Sequence, residues 1–161
     1  MVTVKGKQMK PMRRKDREIT VQEARELLDS CEYGVLSTVG TDGQPYGIPL
    51  SYVLRNNSIY FHCAFTGQKL DNIAANARVS FCVVGKTKLL PAKFATEYES
   101  AVAFGIASEV TETERLNALL WLLEKYSPDF ITEGKQYIEQ KDNATRTFKI
   151  EIQHISGKAR R

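Results

Sequence analysis

The segment from Pro45 to Lys69 constrains the fold of this chain more than any other. It runs Pro45-Tyr-Gly-Ile-Pro-Leu-Ser-Tyr-Val-Leu54, turns at Arg55-Asn-Asn-Ser58, and returns as Ile59-Tyr-Phe-His-Cys-Ala-Phe-Thr-Gly-Gln-Lys69. Two apolar runs of strand length on either side of a polar Asn-Asn turn predict a β-hairpin. Beyond it, Leu70, Ile73 and Ala74 fall on one helical face, which predicts a helix over 67–76. The start of such a helix gathers unpaired backbone N–H groups, a glycine and a lysine at one point, and that point suits a phosphate. Gly67 lets backbone approach closely, and Lys69 adds a full charge beside Gln68. An N-capped surface helix with a solvated lysine satisfies the same residues, so the motif takes its meaning from what surrounds it.

The order of the pieces adds to it. Strand, turn, strand and then Thr66-Gly-Gln-Lys69 opening a helix resembles the FMN-binding split-barrel flavoproteins of the pyridoxamine-phosphate-oxidase-like superfamily, and within it the nitroimidazole-resistance branch. Met12-Arg-Arg-Lys-Asp-Arg-Glu-Ile19 resembles the usual start of that branch, Ile59–Ala64 with Gly67–Lys69 its cofactor segment, and Tyr98–Ala107 the strand that follows. The likeness runs from about residue 12 to the end. It implies a mainly β fold, a six-stranded antiparallel split β-barrel with flanking helices, and FMN as cofactor. It also implies that Ile48, Pro49, Leu50 and Ser51 run along the flavin ring, and that Phe61, His62, Cys63, Gly67, Gln68 and Lys69 complete its site. By resemblance to the oxidase branch, Ser100 meets the flavin across a dimer boundary. That branch carries glutamine at the place of Ser100 and an Arg-Lys pair where this chain has Gln68-Lys69, so pyridoxamine-phosphate oxidase activity itself is not expected.

At 161 residues the chain fits one domain with a real core, here 12–161 behind a loose basic arm of residues 1–11. Apolar and charged fractions of 42% and 26% are those of a globular protein. No apolar run reaches the length of a membrane span and no signal-peptide core precedes the body, so a cytoplasmic location is expected. Three scattered cysteines, Cys31, Cys63 and Cys82, and only two histidines fit neither a disulfide framework nor a metal site. Residues 1–17 hold seven Lys/Arg against one acid and 158–161 hold three more bases, which leaves the body between them net acidic by five. With no DNA- or RNA-binding pattern in that body, the basic ends are expected to be solvated and nucleic acid is not an expected partner.

Along the chain, Thr20 and Glu23 form a capping box for a helix over 21–31 with Ala24, Leu27 and Leu28 inward. Strands are expected at 33–39, 45–53 and 59–64, then at 78–84, 100–110 and 145–155. A turn at 40–43 and a loop from 85 to 92 separate some of them, and Gly105 is expected at a bulge. Pro45 and Pro49 cannot donate to a ladder, which places their strand at an edge, a bulge or against a ligand. Thr111 and Glu114 spell a second capping box before a helix with Leu116, Leu119, Leu120 and Leu123 at helical spacing. Trp121 and Leu122 lie off that stripe, so a second face is apolar and fits either packing within the subunit or a dimer surface. A short polar helix is expected around 134–141.

His62 is the one histidine of the cofactor segment, and the resemblance gives it the role of proton donor or polar wall beside the flavin. The motifs of serine hydrolases, P-loop enzymes, zinc proteases and dinucleotide folds are absent, so redox work would rest on a bound flavin. Two functions stand. One is a flavin-dependent reductase passing electrons from NADH or NADPH to small acceptors such as nitroaromatics, built as a homodimer with FMN at the subunit interface. The other is a flavin or haem carrier or sensor without turnover.

Overall fold

The computed structural model describes residues 9–141 and 145–161. Most of the N-terminal arm therefore lies outside the described residues, and residues 9–14 form no regular element. Eight strands make one antiparallel sheet: β1 (Glu18–Ile19), β2 (Tyr33–Val39), β3 (Pro45–Ser51), β4 (Val53–Arg55), β5 (Ser58–Cys63), β6 (Arg78–Leu90), β7 (Ala95–Val110) and β8 (Arg146–Arg160). Four α-helices accompany them: α1 (Val21–Ser30), α2 (Gln68–Ala75), α3 (Glu112–Tyr126) and α4 (Ile131–Gln140). No described helix is long and apolar enough to cross a membrane.

The sheet runs β3-β2-β6-β7-β8-β5-β4, with β1 added to β8. Its two end strands, β3 and β4, are consecutive in the chain and joined by the single residue Tyr52, so the sheet has to curl until its ends meet. This topology is the split barrel. The six expected runs are all present; the run at 45–53 is divided at Tyr52, and the two-residue β1 is added.

Tyr52 holds the junction. Its backbone N–H donates to Tyr126 Oη at 2.9 Å, and that hydroxyl donates to the Glu32 carbonyl at 2.5 Å. The fully buried Tyr52 ring meets Phe81 edge-on, its hydroxyl donates to the Leu28 carbonyl, and Lys125 Nζ stands 4.0 Å from the ring centroid. One core cluster fills the barrel with Leu36, Ile59, Phe61, Phe81, Ile150 and the inward face of α1, Ala24 and Leu28. A second lies outside it, where Ala118 and Leu122 of α3 cover Val53, Tyr60 and Val110.

Local chemistry explains most boundaries. Thr20 and Glu23 close both halves of the capping box on α1. Asn56 and Asn57 take φ of 48° and 63°, the left-handed pair that a two-residue hairpin turn requires. The register of β7 on β8 shifts at Phe104/Gly105 as expected, and a Cβ on Gly105 would stand 2.2 Å from the Glu151 carbonyl oxygen.

Two expectations are corrected. Thr111 makes no capping hydrogen bond; Glu114 instead accepts from Tyr60 Oη at 3.0 Å and Lys149 Nζ at 2.8 Å, because strand partners supply stronger donors than a local N–H. The stretch 85–92 is not a loop: β6 continues to Leu90, a short 3-10 turn spans Pro91–Lys93, and β7 begins at Ala95.

Candidate functional site

Strand alternation sorts the predicted residues by face. On β3, Ile48 and Leu50 pack against the barrel core, whereas Pro49 and Ser51 point outward and are exposed. On β5, Phe61 and Cys63 are buried inside the barrel, and His62 between them faces out. A ligand on the outer surface thus meets Pro49, Ser51 and His62 by side chain, and the other four only through backbone.

Ser51 and His62 come together as parts of one wall. Between β5 and the α3–α4 pair lies a cavity of about 710 Å³, in the size range of small-molecule sites. Ser51, His62 and Thr145 line its sheet side; Leu119, Leu122, Leu123 and Tyr126 of α3, and Phe130, Gly134, Tyr137 and Ile138 from the α4 region, line the other. Glu133 and Lys141 stand among the lining residues. Gly134 is required there by close approach, because a Cβ on it would stand 2.2 Å from Leu123 Cδ1. Partial burial lowers the His62 pKa by desolvation, which favours the neutral imidazole, a form in which one ring nitrogen donates and the other accepts. Beside it in cross-strand register sits Thr147, whose fully buried Oγ1 has no hydrogen-bond partner among the described residues.

Gly67, Gln68 and Lys69 follow directly from this strand. Gly67 is the N-cap of α2 at φ +143°, a conformation that side-chain-bearing residues avoid, with open space where a Cβ would stand. It brings no capping side chain, and Gln68 is exposed. The Lys69 charge lies close enough to act on the Cys63 thiol, although burial outweighs it and raises that pKa. The combination is an open glycine cradle, a helix start and a cation at the end of the strand that carries His62. A helix start of this kind, with a nearby cation, is chemically suited to an anion such as a phosphate.

Arg146 adds a second cation at this end. It is held by a two-pronged ion pair to Glu109, at 2.9 and 2.7 Å, and donates to the Phe65 carbonyl at 3.3 Å. This pair keeps the Glu109 carboxyl below its ordinary range.

Ser100 is not part of this assembly within one chain. It pairs with Lys158 on β8, whereas His62 pairs with Thr147, the partner of Val110. Ten residues of strand separate the two levels, roughly 30 Å at the usual rise.

Sequence reasoning missed the α3–α4 wall, including Tyr126, Phe130 and Tyr137. Its one signal was the second apolar face at Trp121 and Leu122, and Leu122 indeed lies buried while Leu116 of the expected stripe is exposed.

Comparison with known proteins agrees with the architecture. The family model described as pyridoxamine 5'-phosphate oxidase matches residues 20–159. No curated protein sequence matches. Among solved structures, a candidate 5-nitroimidazole antibiotic resistance protein from Bacteroides thetaiotaomicron is similar at 19% identity and a TM-score of 0.75, over 88% of this chain and 86% of that one. A conserved hypothetical protein from Mycobacterium tuberculosis is similar at 23% identity and a TM-score of 0.76, covering 92% and 90%. An FAD and heme binding protein from Mycobacterium smegmatis aligns at 18% identity and a TM-score of 0.77, covering 89% of this chain and 73% of that chain. At these identities the likeness is one of fold.

Proposed function

We propose that this chain, which belongs to the pyridoxamine 5'-phosphate oxidase family, binds FMN on the outer face of β3 and β5 and serves as a flavin-dependent reductase of small organic acceptors. The observation that carries the reading is the placement of the open Gly67 cradle and Lys69 at the end of the strand whose outward residue, His62, lines the cavity. Flavin binding by neighbours of the same fold, such as the FAD and heme binding protein above, supports it.

In this reading the N-terminus of α2, Gly67 and Lys69 hold the phosphate, which favours the single phosphate of FMN. Pro49, Ser51 and the backbone of Ile48, Leu50, Phe61 and Cys63 border the ring. Flavin bound there supplies two-electron chemistry between a reduced nicotinamide, NADH or NADPH, and an acceptor of the nitroaromatic kind. The α3–α4 wall shields one side of the cavity from water. Neutral His62 can hold a proton at one ring nitrogen next to an acceptor without placing a charge against Leu119 and Leu122.

The family likeness also supports a two-fold homodimer with one FMN per chain, because Ser100 can approach the site only in a second subunit. Purified protein should be yellow and show flavin absorption that NADH or NADPH bleaches and a nitroaromatic compound restores. Flavin that stays oxidised with both nicotinamides would leave a carrier. Haem absorption in place of flavin would overturn the cofactor.

A further inference from the structure

The ends of β6 and β7 form an arm that the rest of the sheet does not support. The partners of β6 on β2 stop at Cys82, and those of β7 on β8 stop at Tyr98. From Thr87 to Leu90 and Ala95 to Glu97, the two strands therefore pair only with each other. A lone two-stranded hairpin is marginal in water unless something covers it. This one carries its largest apolar side chains outside: Phe94 at its tip is 99% exposed and Leu89 is 75% exposed. Phe94 sits at φ +48°, a strained position for an aromatic residue. The arm is also net basic, since residues 85–97 hold Lys86, Lys88 and Lys93 against Glu97, the cross-strand partner of Lys88.

The same chain carries a complementary hole. The cavity beside α3 and α4 is open and lined by Leu119, Leu123, Phe130, Tyr137 and Ile138, with Glu133 and Lys141 among them. Residues 112–141, which supply most of it, carry six acids against four bases. No residue of the arm lines its own chain's cavity. Its tip lies more than fifteen residues of β7 from Val110, the strand end beside α3, roughly 50 Å along the strand.

We propose that the β6–β7 arm of one subunit docks on a second copy of this chain, seating Phe94 and Leu89 against the α3–α4 cavity beside the partner's site. The inference rests on the dimer reading above and adds to it what the arm does. Docking two such arms reciprocally gives a closed two-fold contact rather than a chain of molecules. It brings Lys86, Lys88 and Lys93 to the acidic helices and makes the arm a wall of the partner's acceptor cavity, narrowing what can enter it.

Cysteine pairing tests this. Phe94→Cys and Tyr137→Cys are introduced in separate chains, mixed, and mildly oxidised, with each single variant as control for the three native cysteines. The expected result is a covalent dimer in the mixture and in neither single variant. Independently, Phe94→Asp with Leu89→Asp should raise the dimer dissociation constant at least tenfold in light scattering at an unchanged circular dichroism spectrum. A non-covalent dimer that gives no crosslinked species, or that keeps its affinity in the double variant, overturns arm docking and leaves the dimer standing. A monomeric parent protein overturns both. Binding of the parent to anionic phospholipid vesicles, lost in the double variant, would overturn the second copy as occupant in favour of a lipid surface.

Discussion

Single residues decide what the site can hold. Lys69 contributes one charge-assisted contact to a phosphate, worth about 1.5–3 kcal/mol, so Lys69→Ala should weaken FMN binding roughly ten- to hundredfold while the melting temperature of the flavin-free protein stays put. Gly67→Val should also weaken it, by blocking the open cradle and by forcing a side-chain-bearing residue to φ +143°. Fluorescence titration of FMN checks both, and unchanged affinity in Lys69→Ala would remove the phosphate from this position. His62 makes a separate prediction. Desolvation holds its folded pKa below the ordinary histidine value of 6.5, so between those two values the unfolded chain binds more protons than the native one. Stability then falls as pH drops below about 6.5 and levels off once the folded pKa is passed. Replacing His62 by glutamine should flatten that segment of the stability curve in urea titrations at several pH values; a curve with the same slope would mean the ring is solvated. His62 was legible as a candidate because it is the one histidine in an otherwise largely apolar strand. That Thr147 would lie beside it with an unanswered hydroxyl was not, since their pairing joins residues 85 apart in sequence.

Among the elements, those set by neighbouring residues were readable. The α1 capping box, the Asn56-Asn57 turn and the start of α2 arise from residues within a few positions of one another, and the bulge at Gly105 was marked by its own missing side chain. The Gly105 site should tolerate little: Gly105→Ala presses a methyl group on the Glu151 carbonyl and should cost about 1–3 kcal/mol in denaturant unfolding. Elements set by distant partners were misread. Glu114 looked like a cap because Thr111 stands three residues before it, yet Tyr60 and Lys149 claim it. Lysines and a proline made 85–92 look like a loop, although cross-strand pairing carries β6 through most of it. The Tyr52–Tyr126 junction left no local trace at all, because it depends on α3 returning to the seam of the sheet. Tyr126→Phe would leave the Tyr52 N–H without its acceptor at a buried position, at about 1–3 kcal/mol. For a chain of this size that amounts to a melting temperature lower by about 2–10 °C, measurable by circular dichroism; an unchanged midpoint would show that water replaces the hydroxyl.

At the scale of the whole molecule, the arm, the exposed site and the separation of Ser100 from His62 are what the proposed second chain would account for, and no sequence pattern within one chain specifies such a contact. The assembly prediction is a dimer with one FMN per chain that loses flavin on dilution below its dissociation constant. Light scattering beside flavin quantitation tests it, and a monomer that retains its full complement would sink it. The placement of β8 bears on how each chain reaches its shape. This strand comes last in chain order, yet it lies in the interior of the sheet between β7 and β5 and also pairs with β1. Until it is delivered, the β3-β2-β6-β7 layer and the β4–β5 hairpin have unmatched edges, on β7 and β5, and are joined only by Tyr52, by the α2 connection from β5 to β6 and by the core beneath. Between the synthesis of β7 and that of β8, a nascent chain therefore carries two half-sheets that cannot be zipped together. Contacts of such long sequence separation fold slowly, and the open edges of β5 and β7 are places where two nascent chains on one messenger can meet before either has its own β8.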